Sequence, residues 1–287
     1  MHKTYCLVLA VLLAGSGAAT AQTVDAGRGA LPVTVPSSYS ADAPAPLIVL
    51  LHTYGRTGAV QDEYMGLSGL ADEYGFISVA PDGTPSAAQG NPQFWNASAA
   101  CCNWEGKQLD DSAYIMGIID AVKAKYSIDD RRVYILGHSN GAFMAHRLAH
   151  DHSAAIAAIA SLAGADQTVA RPAPPNPVHV LQIHGDADEA IAYAGGEIQG
   201  ESYPSARQSV ENWADHNGCA AKGADTGTLD LVSTLPGADT VVSRYTSGCK
   251  PGGSAELWTI EGGAHVPELS EHFTRLTVEW LLGHPKP

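Results

Sequence analysis

The sequence predicts an α/β fold: a mostly parallel central sheet with helices on both faces, built as a single domain. Three observations predict it. Runs such as PLIVLL (46–51), FISVA (76–80) and VHVLQI (178–183) are of strand length and largely lack polar alternation; strands apolar on both sides are strands covered on both sides. These runs alternate with segments of helical spacing, the order expected of strand–helix–strand units. The chain has 287 residues, 45% of them hydrophobic, which is enough for one large core, and no repeat or linker divides it.

The elements follow in order. Residues 22–30 are polar and glycine-rich and read as loose, and Leu31–Val35 reads as an edge strand. Strands are expected at Pro46–Leu51 and Phe76–Ala80, with a helix between them over Met65–Tyr74. Residues 84–109, rich in Gly, Asn and Trp, read as a long loop. Leu109–Tyr126 is a strong helix, with Asp110 and Asp111 placed to cap its N-terminus. Val133–Leu136, Ala155–Leu162, Val178–Ile183 and Leu257–Ile260 are strands; Asn140–His150, Ala206–His216 and residues 270–282 are helices.

Net charge is −14, and the 16 Lys and Arg residues do not cluster, so a nucleic-acid partner is excluded on electrostatic grounds. Residues 1–21 read as a secretory signal peptide: a basic start at Lys3, an apolar run from Tyr5 to Ala14, and an Ala19-Thr20-Ala21 cleavage site. The run is too short to span a bilayer, and the mature chain, 22–287, is expected outside the cytoplasm, secreted or periplasmic. Four cysteines remain in it: Cys101, Cys102, Cys219 and Cys249. An even number in an oxidising compartment suggests two disulfides. Cys219 and Cys249 bracket a Gly/Asp/Thr-rich excursion and are natural partners. For the adjacent Cys101 and Cys102, a vicinal bond, two free thiols and crossed pairing all stand open. The spacing holds no C-x-x-C metal pattern.

The chemistry sits where strands end. VYIL (133–136) runs into Gly137-His138-Ser139-Asn140-Gly141 and then straight into a helix. This is G-x-S-x-G in its strand–turn–helix context, where small neighbours let the serine sit on a sharp turn. A serine nucleophile needs a base, and the base needs an orienting acid. His184-Gly185-Asp186-Ala187-Asp188 closes the 178–183 strand. Asp188 is the expected acid, Asp186 a turn-former and His184 a structural histidine. His265, in the Gly262-Gly263-Ala264 turn after the last strand, is the expected base; His216 and His272 read as surface residues, and His284 lies near the terminus. Oxyanion donors are expected from the Asn140 and Tyr54 backbone N–H groups. Tyr54, His138 and Trp95 are candidate substrate contacts, although Trp95 and Trp104 can instead cover the sheet edge. Asp110 and Asp111 precede the serine and need only their capping role.

Asp110–Ala149, Leu47–His52, Phe94–Trp104, HGDAD (184–188) and the GGAH turn together resemble the polyhydroxybutyrate depolymerase and feruloyl esterase family of α/β-hydrolases. The resemblance spans residues 30–283 or so. It implies an α/β-hydrolase fold, a Ser139–His265–Asp188 triad and cleavage of carboxylic esters without cofactor or metal. Thr53 stands where such families carry Gly, and Val266-Pro267 follows the histidine where polyhydroxybutyrate-cleaving members often carry Trp. A general carboxylesterase acting on feruloyl, acetyl or polyester bonds, working as a monomer, is therefore the expectation. A serine peptidase and a catalytically silent binding module are the alternatives on the same scaffold.

Overall fold

Apolar runs become the central strands because each is buried from end to end. In the computed structural model, which describes residues 22–88, 90–168, 173–220 and 223–287, the described residues form fourteen strands and six α-helices. The proposed signal peptide lies outside the described residues. In chain order the first elements are β1 (Thr23–Asp25), β2 (Ala30–Thr34), β3 (Ala45–Leu51), α1 (Gly58–Met65), α2 (Ala71–Tyr74) and β4 (Ile77–Val79). Next come β5 (Thr84–Pro85), β6 (Gln93–Phe94), α3 (Asp111–Lys125), β7 (Ile128–His138), α4 (Asn140–Asp151), β8 (Ala158–Leu162) and β9 (His179–Gly185). Last are β10 (Gly196–Ile198), β11 (Glu201–Tyr203), α5 (Ala206–His216), β12 (Ala224–Leu229), β13 (Thr240–Tyr245), β14 (Ser254–Ile260) and α6 (Phe273–Leu282).

Ten strands make one sheet in the order β1-β2-β4-β3-β7-β8-β9-β14-β13-β12. The six from β4 to β14 are parallel, and two antiparallel strands extend each edge. Every residue of β3 and β8 is buried, because helices lie over both faces. One core cluster holds Leu47, Val49, Ile115, Ile135 and Phe143, and the opposite cluster holds Ile48, Leu50, Tyr134, Leu136 and Phe273. This split is the period-two alternation of a sheet with two hydrophobic faces.

The structure departs from the sequence expectations at several elements. Thr23–Asp25 is a strand that pairs with β2, so residues 31–35 are not the edge. The helix expected over 65–74 begins earlier: the Thr57 hydroxyl accepts from the Val60 N–H to cap α1, and Gly66 (φ 65°) ends it. Only a short 3₁₀ turn and α2 follow, before Gly75 at φ 69°. The β12–β13 hairpin falls inside the Cys219–Cys249 excursion, where Gly, Asp and Thr read as turn. Of β12 only Leu229 is less than exposed, so it lacks the apolar alternation that marks a strand. Cys219 and Cys249 are bonded, as are Cys101 and Cys102. Among the described residues no helix is long and apolar enough to cross a membrane.

Candidate active site

β7 delivers Ser139 at φ 54°, ψ −118°, a positive φ uncommon for a residue with a Cβ. Neighbouring backbone holds the turn closed. A Cβ on Gly137 would lie 2.2 Å from the Gly141 carbonyl oxygen, and one on Gly141 would lie 2.2 Å from that of Leu51. Both glycines are thus required by close approach, and the second presses the start of α4 onto the end of β3. The Ser139 N–H donates to the Leu162 carbonyl at 2.8 Å, tying the elbow to β8.

His265 and Asp188 meet this serine from two other strand ends. The Ser139 hydroxyl lies 2.9 Å from His265 Nε2, and His265 Nδ1 lies 2.8 Å from Asp188 Oδ2. Asp188 Oδ1 accepts from the Ala190 and Ile191 N–H groups, each at 2.8 Å. Burial by itself would raise the Asp188 pKa, but hydrogen bonds from His184, His265 and the Ile191 amide outweigh it and hold this carboxyl well below the usual range. The carboxylate is therefore ionised and accepts only, which puts the His265 proton on Nδ1 and leaves Nε2 to accept from the serine.

The two loops that bring Asp188 and His265 together are locked to each other. A Cβ on Gly185 would lie 2.1 Å from the Gly263 carbonyl oxygen. The Ala187 N–H donates to that carbonyl at 3.1 Å, and Asp186 Oδ1 accepts from the Gly262 N–H at 2.6 Å. Asp186 thus ties the base loop to the acid loop instead of closing its own turn. His184 is fully buried and donates from Nε2 to the Ile191 carbonyl at 2.8 Å, as the backbone-satisfied histidine expected, but the same nitrogen also lies 3.3 Å from Asp188 Oδ2, and Nδ1 accepts from Gln182 at 3.1 Å.

The other wall comes from β3 and the 84–109 loop. After β3, the Thr53 N–H donates to Gln61 Oε1 at 3.2 Å. The Tyr54 and Asn140 N–H groups have no acceptor among the described residues. The Asn140 side chain pins the loop: Oδ1 accepts from the Trp95 N–H at 2.8 Å, and Nδ2 donates to the Trp95 carbonyl at 2.9 Å and lies 3.4 Å from Cys101 Sγ.

Two expected substrate contacts are corrected by burial. Trp95 is wholly inaccessible, its indole N–H donating to the His52 carbonyl at 3.1 Å. His138 is 1% exposed and faces the His265 backbone rather than the cleft. Tyr54 is half-buried, its ring 4.8 Å from that of Trp104, which is 46% exposed. Asp110 caps α3 by accepting from the Ala113 N–H at 3.0 Å. Asp111, expected to share the cap, is instead an anchor: fully buried, it accepts from Arg28 at 2.6 Å, Thr84 at 3.2 Å and the Asn96 N–H at 2.8 Å. Sequence reasoning missed this anchor because Arg28 and Asn96 are far from it in the chain. A cavity of about 540 Å³ lies between β2, β4 and α1 and includes none of Ser139, Asp188 or His265. Among the described residues no cluster of three or more His, Cys, Asp or Glu is placed to hold a metal.

Strand order, elbow and the positions of the three side chains define an α/β-hydrolase. The chain belongs to the Esterase PHB depolymerase family, whose profile matches residues 33–228. It is 29% identical over 77% of its length to a putative esterase NocK of Nocardia uniformis subsp. tsuyamanensis, of which the match spans 65%. It is 26% identical over 86% of its length to a bifunctional acetylxylan esterase/xylanase of Neocallimastix patriciarum, of which it spans 32%. A feruloyl esterase D of Neurospora crassa is 26% identical, with 82% of this chain and 73% of that protein covered. The chain thus spans less than two thirds of the first two relatives. In fold it resembles an acetyl xylan esterase from Aspergillus awamori, with a TM-score of 0.62, 17% identity, and 91% and 98% of the two chains covered.

Proposed function

We propose that the chain is an extracytoplasmic, monomeric carboxylic-ester hydrolase that works through an acyl-enzyme on Ser139. The observation that carries this is the unbroken line from Ser139 Oγ through His265 to Asp188, at 2.9 and 2.8 Å. In the reaction His265 Nε2 takes the serine proton as Oγ attacks the ester carbonyl. Asp188 holds the tautomer and stabilises the imidazolium. The unengaged Tyr54 and Asn140 amides receive the oxyanion; each such donor contributes about 3 kcal/mol in comparable sites. His265 then protonates the departing alcohol, and water, activated by the same histidine, hydrolyses the acyl-enzyme. The substrate class is a polyester, feruloyl or related carboxyl ester, in line with the names of the relatives. The Ala19-Thr20-Ala21 signal and the two disulfides support export.

The test is hydrolysis of p-nitrophenyl butyrate, methyl ferulate and a hydroxybutyrate oligomer by wild type and Ser139→Ala, alongside fluorophosphonate labelling. Labelling and turnover in wild type, both lost in Ser139→Ala, are expected. A folded wild type that neither labels nor turns over any ester would overturn the reading.

A further inference from the structure

Beneath the line of reacting groups runs a second hydrogen-bond chain whose two middle members, Gln61 and His138, are buried. Gln61, on α1 and 2% exposed, accepts the Thr53 N–H at Oε1 (3.2 Å) and faces His138 Nδ1 through Nε2 (3.4 Å). His138, at the end of β7, lies with Nε2 2.9 Å from the His265 carbonyl oxygen. Each orientation follows from its neighbour. A carbonyl only accepts, so the His138 proton is on Nε2; Nδ1 must then accept, so the Gln61 amide presents its NH₂ there and its oxygen to Thr53. Tyr64, also on α1, stacks on the His138 ring at 5.5 Å and donates its hydroxyl to the Pro267 carbonyl at 2.7 Å. The helix thus holds the base loop directly at Pro267 and, through His138, at His265.

We infer that Gln61 and His138 are positioning residues for ester hydrolysis, setting the base loop and the oxyanion loop in one register through a relay from Thr53 to His265. The inference rests on the function proposed above. Two consequences make the relay more than packing. By occupying the Thr53 N–H, Gln61 leaves Tyr54 as the free amide of that loop. By holding the His265 carbonyl, His138 fixes the main chain from which the base projects, and reacting groups misplaced by about 1 Å can lose two orders of magnitude in rate. Burial, the largest influence, pushes the His138 pKa down to about 4. The ring therefore stays neutral beside His265, 5.5 Å away between ring centres, when that histidine becomes a cation. Burial also pushes the Tyr64 hydroxyl pKa up, so it remains a donor.

The experiment compares His138→Leu, His138→Gln and Gln61→Met with wild type. It reads kcat and KM on p-nitrophenyl butyrate, the rate of fluorophosphonate labelling, and thermal unfolding. Glutamine can still donate to the His265 carbonyl; leucine cannot. We expect His138→Leu to lower kcat and the labelling rate by about 10- to 100-fold with KM within about twofold, and His138→Gln to recover most of both. Gln61→Met is expected to lose kcat in the same way. Equal loss in His138→Gln and His138→Leu, or wild-type kcat and labelling in a folded His138→Leu, overturns the relay. Should His138→Leu not fold, Gln61→Met decides: unchanged kcat overturns the inference and a kcat-only loss sustains it. Absence of labelling in wild type sinks the proposed function and this inference together, whereas labelled wild type with unchanged variants sinks the inference alone.

Discussion

The two walls of the proposed site, one carrying the proposed acid and base and the other the proposed oxyanion donors, are held by different physics. On the acid–base side, the loops after β9 and β14 close on main chain: Gly185 against Gly263, the Ala187 N–H on the Gly263 carbonyl, and two backbone amides on Asp188. On the oxyanion side, the 84–109 loop has little secondary structure and hangs on side-chain plugs. Asn140 holds Trp95, and Asp111 holds Arg28, Thr84 and Asn96. The acid–base side can therefore lose the Asp188 carboxylate and keep its main-chain closure, with His138, Tyr64 and Asp186 as its side-chain ties, whereas the oxyanion side loses its shape with its side chains.

The sharpest break of this comparison is Asp188→Asn. The amide fills the same volume but cannot hold His265 in its working tautomer, so kcat should fall by about 10⁴-fold while unfolding free energy drops by only about 1–2 kcal/mol. Steady-state kinetics with urea unfolding checks both; a kcat within tenfold of wild type would refute the role given to Asp188. Asp111→Ala is the mirror case. It strands three donors and should cost about 3 kcal/mol, with activity falling only as far as loop 84–109 loosens. Proteolytic nicking within 84–109 should accelerate, and an unchanged unfolding midpoint would show that the loop does not depend on this plug.

Acidification loads both walls. Burial lowers the pKa of His52 on the oxyanion side and of His138 on the other, the latter to about 4 from an ordinary 6.5. As pH falls from 6.5 towards 4, the unfolded chain takes up protons that the folded chain refuses, so stability falls across that window and levels off below it. For His138 alone the loss is about 3 kcal/mol. Asp188 acts lower: its pKa is depressed from an ordinary 3.8, so the stability it adds is present above that value and lost as pH drops beneath it. Melting temperatures from pH 7 to 4 should decline, less steeply in His138→Gln; parallel slopes would contradict a neutral buried His138. A smaller effect on turnover is expected from Asn140→Ala, which keeps its own N–H but releases Trp95. A loss of about 2 kcal/mol in stability and a modest fall in kcat should appear together, and a stable variant with a large kcat loss would mean that the side chain itself meets substrate.

What the sequence made legible tracks how local the signal was. PLIVLL and VHVLQI carry their burial in their own composition, and G-H-S-N-G announces a strand–turn–helix within a few residues. The triad order along the chain then narrowed the search for acid and base to two strand ends. Long-range polar satisfaction stayed hidden. Nothing near Asp111 says that Arg28 and Asn96 will meet it, and nothing near His138 says that it will turn from the cleft to the His265 carbonyl. Trp95 read as a substrate contact because an aromatic beside an active-site loop looks the same on paper whether its face is wet or its N–H is spent on His52. The β12–β13 hairpin was missed because Gly, Asp and Thr are strand residues only once a neighbouring strand supplies the ladder.

The pairing of β3 with β7 places Leu51 directly opposite Gly137, so the amides of Tyr54 and Asn140 each stand three residues beyond a fixed rung of one ladder. The spacing between adjacent strands sets where the two stretches start, and Gln61 holds the Tyr54 side through the Thr53 N–H. A protein engineer can thus exchange loops that touch neither Gln61 nor Asn140 to admit a bulkier or more polar ester, while the two proposed oxyanion donors keep their common anchor in the sheet.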